Sequence, residues 1–130
     1  MEAGDEKGLE TAFANLPSLQ AGALVVGADP FFNARRNQIV ALAARYSVPA
    51  IYEWREFVEA GGLISYGPSL TGVYCQIGTY VARILGGEKP ADLPVIQPTV
   101  FELAFNVKTA KTLGIAIPPM IVARADKVIE

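Results

Sequence analysis

The sequence contains no histidine. Histidine-based triads and histidine metal ligands are therefore excluded. A single cysteine, Cys75, rules out an internal disulfide. It falls inside a long helical pattern, where the expected role is that of a small buried residue. A nucleophile there would need a base, and none stands near it in sequence. No apolar run approaches the ~20 residues of a membrane-spanning helix. Neither charge dominates: the net charge of −2 gives no reason to expect nucleic acid or an anionic membrane as partner. The one adjacent basic pair, Arg35-Arg36, is expected on the solvated face of a helix rather than at a phosphate. Also missing are a Walker loop, a G-x-G-x-x-G turn after a strand and a G-x-S-x-G elbow. Glu53 and Glu56 form a carboxylate pair, but Arg55 lies between them and a solvated amphipathic face accounts for all three. Acid–base catalysis would need an apolar pocket to perturb one carboxylate. Composition and motifs thus point to no catalytic residue, no metal site and no cofactor, and make a small α/β enzyme the weakest reading.

What is present is apolar and well patterned. The 130 residues are 52% hydrophobic, enough for one domain with a core. The segment Met1 to Gly8 is charged and small and lacks the basic, apolar, small-residue order of an export signal. The chain is organised around Gly22 to Tyr46. Ala23 to Val26 is an unbroken apolar run, as expected of a strand covered on both faces. Asp29 is a good N-cap and Pro30 suits a first helical position. Ile39, Leu42, Ala43 and Tyr46 then share one helical face.

In order, Leu9 to Leu16 reads as a short helix stopped by Pro17. A strand at Ala23 to Val26 is followed by one helix from about Phe31 to Tyr46. A strand at Ala50 to Tyr52 precedes a helix at Glu53 to Ala60, ended by Gly61-Gly62. Leu63 to Tyr66 is a third strand. This alternation is the sign of parallel βαβ units with right-handed crossovers. Ser69 caps the longest helix, Leu70 to about Leu85, whose stripe is Val73, Ile77, Tyr80, Val81, Ile84 and Leu85. Glu88 to Pro98 is an extended connector. Thr99 to Asn106 reads as a strand, Val107 to Leu113 as a helix capped by Asn106, and Met120 to Asp126 as a last helix.

In open α/β sheets, ligands sit outside the carboxyl ends of the strands. Five side chains stand near there. Asp29 serves as an N-cap, accepts from a ligand amine or hydroxyl, or does both. Phe31 and Phe32 point about 100° apart on a helix, so one joins the core while the other is free for a cleft. Trp54 follows the second strand, with core packing as its rival role. Tyr66, with Gly67, ends the third strand at a hinge or pocket wall.

Several stretches together resemble one family: Val26-Gly-Ala-Asp-Pro-Phe-Phe-Asn33, Pro49 to Leu63, Ser65-Tyr-Gly-Pro-Ser69, Ala82 to Pro94, Asn106 to Gly114 and Ile117-Pro-Pro119. The chain from about Gly8 onward is similar to the C-terminal part of bacterial ABC-transporter substrate-binding proteins of the tryptophan/tyrosine-permease-like type. The resemblance implies a type I periplasmic binding fold, an α/β parallel-sheet, Rossmann-like lobe. It implies a non-enzymatic role in capturing a small solute, such as an amino acid, for an ABC permease, and a periplasmic location. Asp29, Phe31, Trp54 and Tyr66 would form one cleft wall. Residues 1–67 would be lobe, 68–106 a crossover helix and returning hinge strand, and 107–130 a helical tail. The N-terminal lobe and export signal of the family are not in this sequence, so the Leu70 to Leu85 helix lacks its usual partner. A homodimer through that helix is the expected consequence. A stand-alone dimerising interaction module without a transport role is the alternative.

Overall fold

A computed structural model of the chain describes residues 5–130. Its centre is a five-stranded sheet of β1 (Leu24–Val26), β2 (Ala50–Tyr52), β3 (Ile64–Pro68), β4 (Phe101–Asn106) and β5 (Lys127–Ile129), in that spatial order. β1, β2 and β3 run parallel, β4 is antiparallel to β3, and β5 is parallel to β4. The two crossovers among β1, β2 and β3 step in the same direction. Right-handed connections therefore place their helices on one face of the sheet.

Those helices are α2 (Pro30–Ala34) and α3 (Arg36–Arg45) between β1 and β2, and α4 (Arg55–Glu59) between β2 and β3. They cover the face that carries Val26, Ala50 and Tyr52, all buried. α1 (Glu6–Asn15) packs outside α3 and adds Leu9, Phe13 and Leu16 to the same core. Tyr52 and Phe57 stack at 4.7 Å and anchor α4 on the strands. The opposite face is not covered like the first: Val25 on β1 is 78% exposed, so this strand is not buried on both sides as its apolar run suggests.

The expected single helix from Phe31 to Tyr46 is broken. Arg35 leaves helical geometry at φ −104° and ψ 16°, and α3 begins anew at Arg36. The periodicity of apolar residues continues across the break, so hydrophobic spacing alone does not reveal it. The expected last helix is also shorter: α7 (Pro119–Arg124) stops before Asp126, and the chain ends as strand β5. Asp126 docks that strand by both of its polar groups. Its N–H donates to the Leu103 carbonyl at 2.8 Å, and its Oδ2 accepts from the Leu103 N–H at 2.8 Å.

From β3 the chain runs into α5 (Leu70–Leu85), returns by the connector into β4, and passes through α6 (Val107–Thr112). α5 has no buried residue. Its face at Val73, Gln76 and Tyr80 is backed by the connector: the Tyr80 hydroxyl donates to the Pro94 carbonyl at 2.5 Å, and Gln76 reaches the Ile96 carbonyl at 3.4 Å. The neighbouring face, Tyr74, Ile77, Val81 and Leu85, stays open. Cys75 is exposed as well, correcting its expected burial, because this helix stands away from the core. At the helix end an exposed Arg83–Glu88 pair closes at 2.6 Å, and the guanidinium holds the Glu88 carboxyl below its usual range.

Burial pushes the Tyr52 hydroxyl up to about 12 from its ordinary 10. The sign follows from linkage. The unfolded state loses this proton near pH 10 while the folded state keeps it. The neutral phenol therefore stabilises the fold below pH 10, and that stabilisation is lost as pH rises to about 12. The difference in unfolding free energy between wild type and Tyr52→Phe should fall by roughly 2–3 kcal/mol across this window. Denaturant titrations at pH 9 and pH 12 would measure it, and parallel pH profiles for the two proteins would refute it.

Candidate functional site at the carboxyl edge of the sheet

The carboxyl ends of β1 and β2 lie level, and β3 runs on past them by three residues, Tyr66 to Pro68. Val26 pairs with Tyr52, and Tyr52 with Ser65. All four sequence-predicted binding residues stand near this edge: Asp29 and Trp54 in the connections after β1 and β2, Phe31 in the first turn of α2 and Tyr66 in β3. Asp29 follows β1 and caps α2, with its Oδ1 accepting from the Phe31 N–H at 2.7 Å. The residue is exposed, so capping leaves part of the carboxylate on the surface. Phe31 and Phe32 are both half-buried and both packed against the core, their rings 5.9 Å apart. Phe32 also lines an apolar groove between α1 and the β1 edge. Trp54 immediately precedes α4 and is half-buried against the same core. Tyr66 is 58% exposed in the middle of β3, which continues to Pro68 rather than ending at Tyr66 as expected.

A depression of about 240 Å³ opens at this edge and continues onto the uncovered sheet face. Gly27, Glu53, Tyr66, Gly67, Pro68 and Phe101 are among its lining residues. Tyr66 therefore lines it, whereas Asp29, Phe31 and Trp54 stand beyond its lining. Phe101 enters from the returning strand. The antiparallel register sets Pro68 opposite Phe101 and Tyr66 opposite Leu103. The two rings consequently stack, with centroids 5.7 Å apart and planes inclined by 24°. Such a pair offers a flat apolar platform.

Gly67 is required where it stands. A Cβ at this position would lie 2.3 Å from the Glu53 carbonyl oxygen and 2.7 Å from Glu53 Cγ. The glycine thus lets the loop after β2 lie directly across the end of β3. Glu53 precedes α4 rather than lying within it, so the expected solvated helix face does not include it. Arg55, on α4, forms ion pairs with Glu59 at 3.1 Å and with Glu102 at 3.3 Å, the second of which ties the helix to β4.

Among the described residues no helix is long and apolar enough to cross a membrane, and no group of three or more acidic or cysteine side chains is placed to hold a metal ion.

Three solved structures share this fold. A conserved domain protein from Vibrio cholerae is 24% identical, with a TM-score of 0.83 over 94% of this chain and 41% of that one. An ABC domain in complex with L-Trp from Streptococcus pneumoniae is 25% identical, with a TM-score of 0.77 over 95% of this chain and 41% of that one. A ligand-free, open substrate-binding protein with adhesive properties from Clostridium difficile is 21% identical, with a TM-score of 0.56 over 94% and 41%. The chain thus spans about 41% of the length of each. No curated protein matches it. The family model of the ABC transporter substrate-binding proteins matches residues 2–129, nearly end to end, and the chain belongs to that family.

Proposed function

We propose that this chain forms one wall of the ligand cleft in a solute-binding component of an ABC-type uptake transporter. The solute would be an amino acid, and an aromatic one suits the wall best. The observation that carries this reading is the stacked Tyr66–Phe101 pair over an open depression at the carboxyl edge of the sheet. The related ABC domain that holds L-Trp supports the same class of solute. Asp29 would accept a hydrogen bond at the rim, with Phe31 and Trp54 supplying apolar surroundings. A permease would be the partner, and the work would be done on the outer side of the cytoplasmic membrane. A single wall encloses little of a ligand, so affinity should be low without an opposing surface.

Calorimetric titration with an amino-acid panel tests this. Saturable heat is expected with at least one aromatic member. Loss of the ring stack in Tyr66→Ala should weaken binding by roughly tenfold. Unaltered affinity in that variant, or no saturable heat with any member, would count against the proposal.

A second reading concerns association, and one observation favours it. Tyr74, Ile77, Val81 and Leu85 form an open apolar stripe on α5 beside the face that the connector backs. A second copy of this chain would cover that stripe in a symmetric dimer. The two readings are compatible, because the stripe lies on α5 and the depression at the sheet edge.

A further inference from the structure

Glu53 is the one charged side chain among the residues that line the edge depression. It is half-buried, and its Cγ lies over Gly67 at a distance that excludes any side chain there. Among the described residues it has no ion-pair partner, and Arg55, two positions on, is already held by Glu59 and Glu102. The depression therefore presents one uncompensated negative charge beside two stacked rings. Asp29 does not line it, and one of its oxygens is committed to capping α2.

We infer that Glu53 selects the charge of the group bound at this edge, so that the wall takes the ammonium end of an aromatic or apolar amine and rejects the isosteric carboxylate. The inference rests on the reading of this edge as the recognition wall. Its chemistry is simple. An ammonium beside Glu53 gains a charge-assisted hydrogen bond and faces the π-surface of Tyr66. A carboxylate in the same place meets like charge with no cation in the lining to offset it. A ligand that carries both groups would have to direct its carboxylate away from this wall.

The test is an NMR titration of the 130-residue chain with phenethylamine and with 3-phenylpropanoate. These probes share a ring and differ in the sign of the charge. Phenethylammonium should shift the amides of Glu53, Tyr66 and Gly67 saturably, and 3-phenylpropanoate should bind at least about tenfold more weakly. Glu53→Gln should bring the two probes within roughly twofold of each other. Glu88→Gln, which removes the same charge from the far end of α5, should leave the preference intact. Equal binding of the two probes by wild type, or a preference that survives Glu53→Gln, would overturn the assignment while the wall itself stands. The absence of any shift at Tyr66 and Gly67 with either probe would overturn the wall, and the assignment with it.

Discussion

Phe57→Ala should remove about 3–5 kcal/mol of folding stability, the cost expected for truncating a buried phenylalanine. Phe57 is 2% exposed and stacks on Tyr52 at 4.7 Å. Its backbone carbonyl also accepts the Gly62 N–H at 2.8 Å, which closes α4 and starts the turn into β3. The ring thus holds the helix that follows the carboxyl end of β2 and leads into β3, and the candidate site lies at the carboxyl edge of these two strands. A loss of that size is a large part of the ~5–15 kcal/mol that stabilises a typical domain. Chemical denaturation followed by circular dichroism would measure it as a lower midpoint with an unaltered slope. A loss below about 1 kcal/mol would mean that α4 is not anchored by this contact.

The second large effect concerns association. Ile77→Glu together with Val81→Glu should convert a dimer to a monomer in light scattering, with association weakened at least about a hundredfold. The two side chains lie one turn apart and are 49% and 48% exposed within one protomer. Their replacement should therefore leave the fold of the single chain intact, and its helical signal unaltered. At a symmetric interface each substitution acts twice, once from each copy, so four carboxylates would carry the desolvation cost together. A wild-type chain that scatters as a monomer would refute the dimer. So would a double variant that associates as tightly as wild type.

Helix beginnings are the most legible part of this fold. Asp29, Ser69 and Asn106 each cap the helix that the sequence assigns to them, with bonds of 2.7, 3.4 and 3.0 Å. Capping is local chemistry, carried by one side chain and an amide two or three residues on, so spacing reveals it. Helix ends are only partly legible. α3, α4 and α6 close alike, through the bonds Val48 to Ala43, Gly62 to Phe57 and Ile115 to Ala110. The residue before each donor has positive φ, and Gly61 and Gly114 announce two of these turns. Ser47 adopts φ 51° with no glycine to mark it, and Gln20 does the same after α1.

Tertiary pairing was the least visible. β5 has three residues, too few for a period, and is fixed by Asp126 bonding to a distant strand. At the site, the adjacent carboxyl ends of β1 and β2 and the placement of Tyr66 on β3 follow from strand spacing alone. Phe101 does not, because it reaches Tyr66 only through the antiparallel register of β3 and β4. Glu53 was obscured by a different cause. A carboxylate near Arg55 and Glu56 resembles an ordinary helix face until the helix is seen to begin at Arg55. The resemblance to substrate-binding proteins supplied what periodicity lacks, and the family match over residues 2–129 agrees with it.

The most direct test of the central claim is where on the chain an amino acid acts. Backbone amide shifts should be recorded by NMR while aromatic amino acids are added to saturation. Binding at the carboxyl edge predicts that the shifts cluster at Gly27 to Phe32, Glu53 to Trp54 and Tyr66 to Pro68. Shifts confined to α5, or to the opposite end of the sheet around Val48, Gly61 and Thr109, would contradict it.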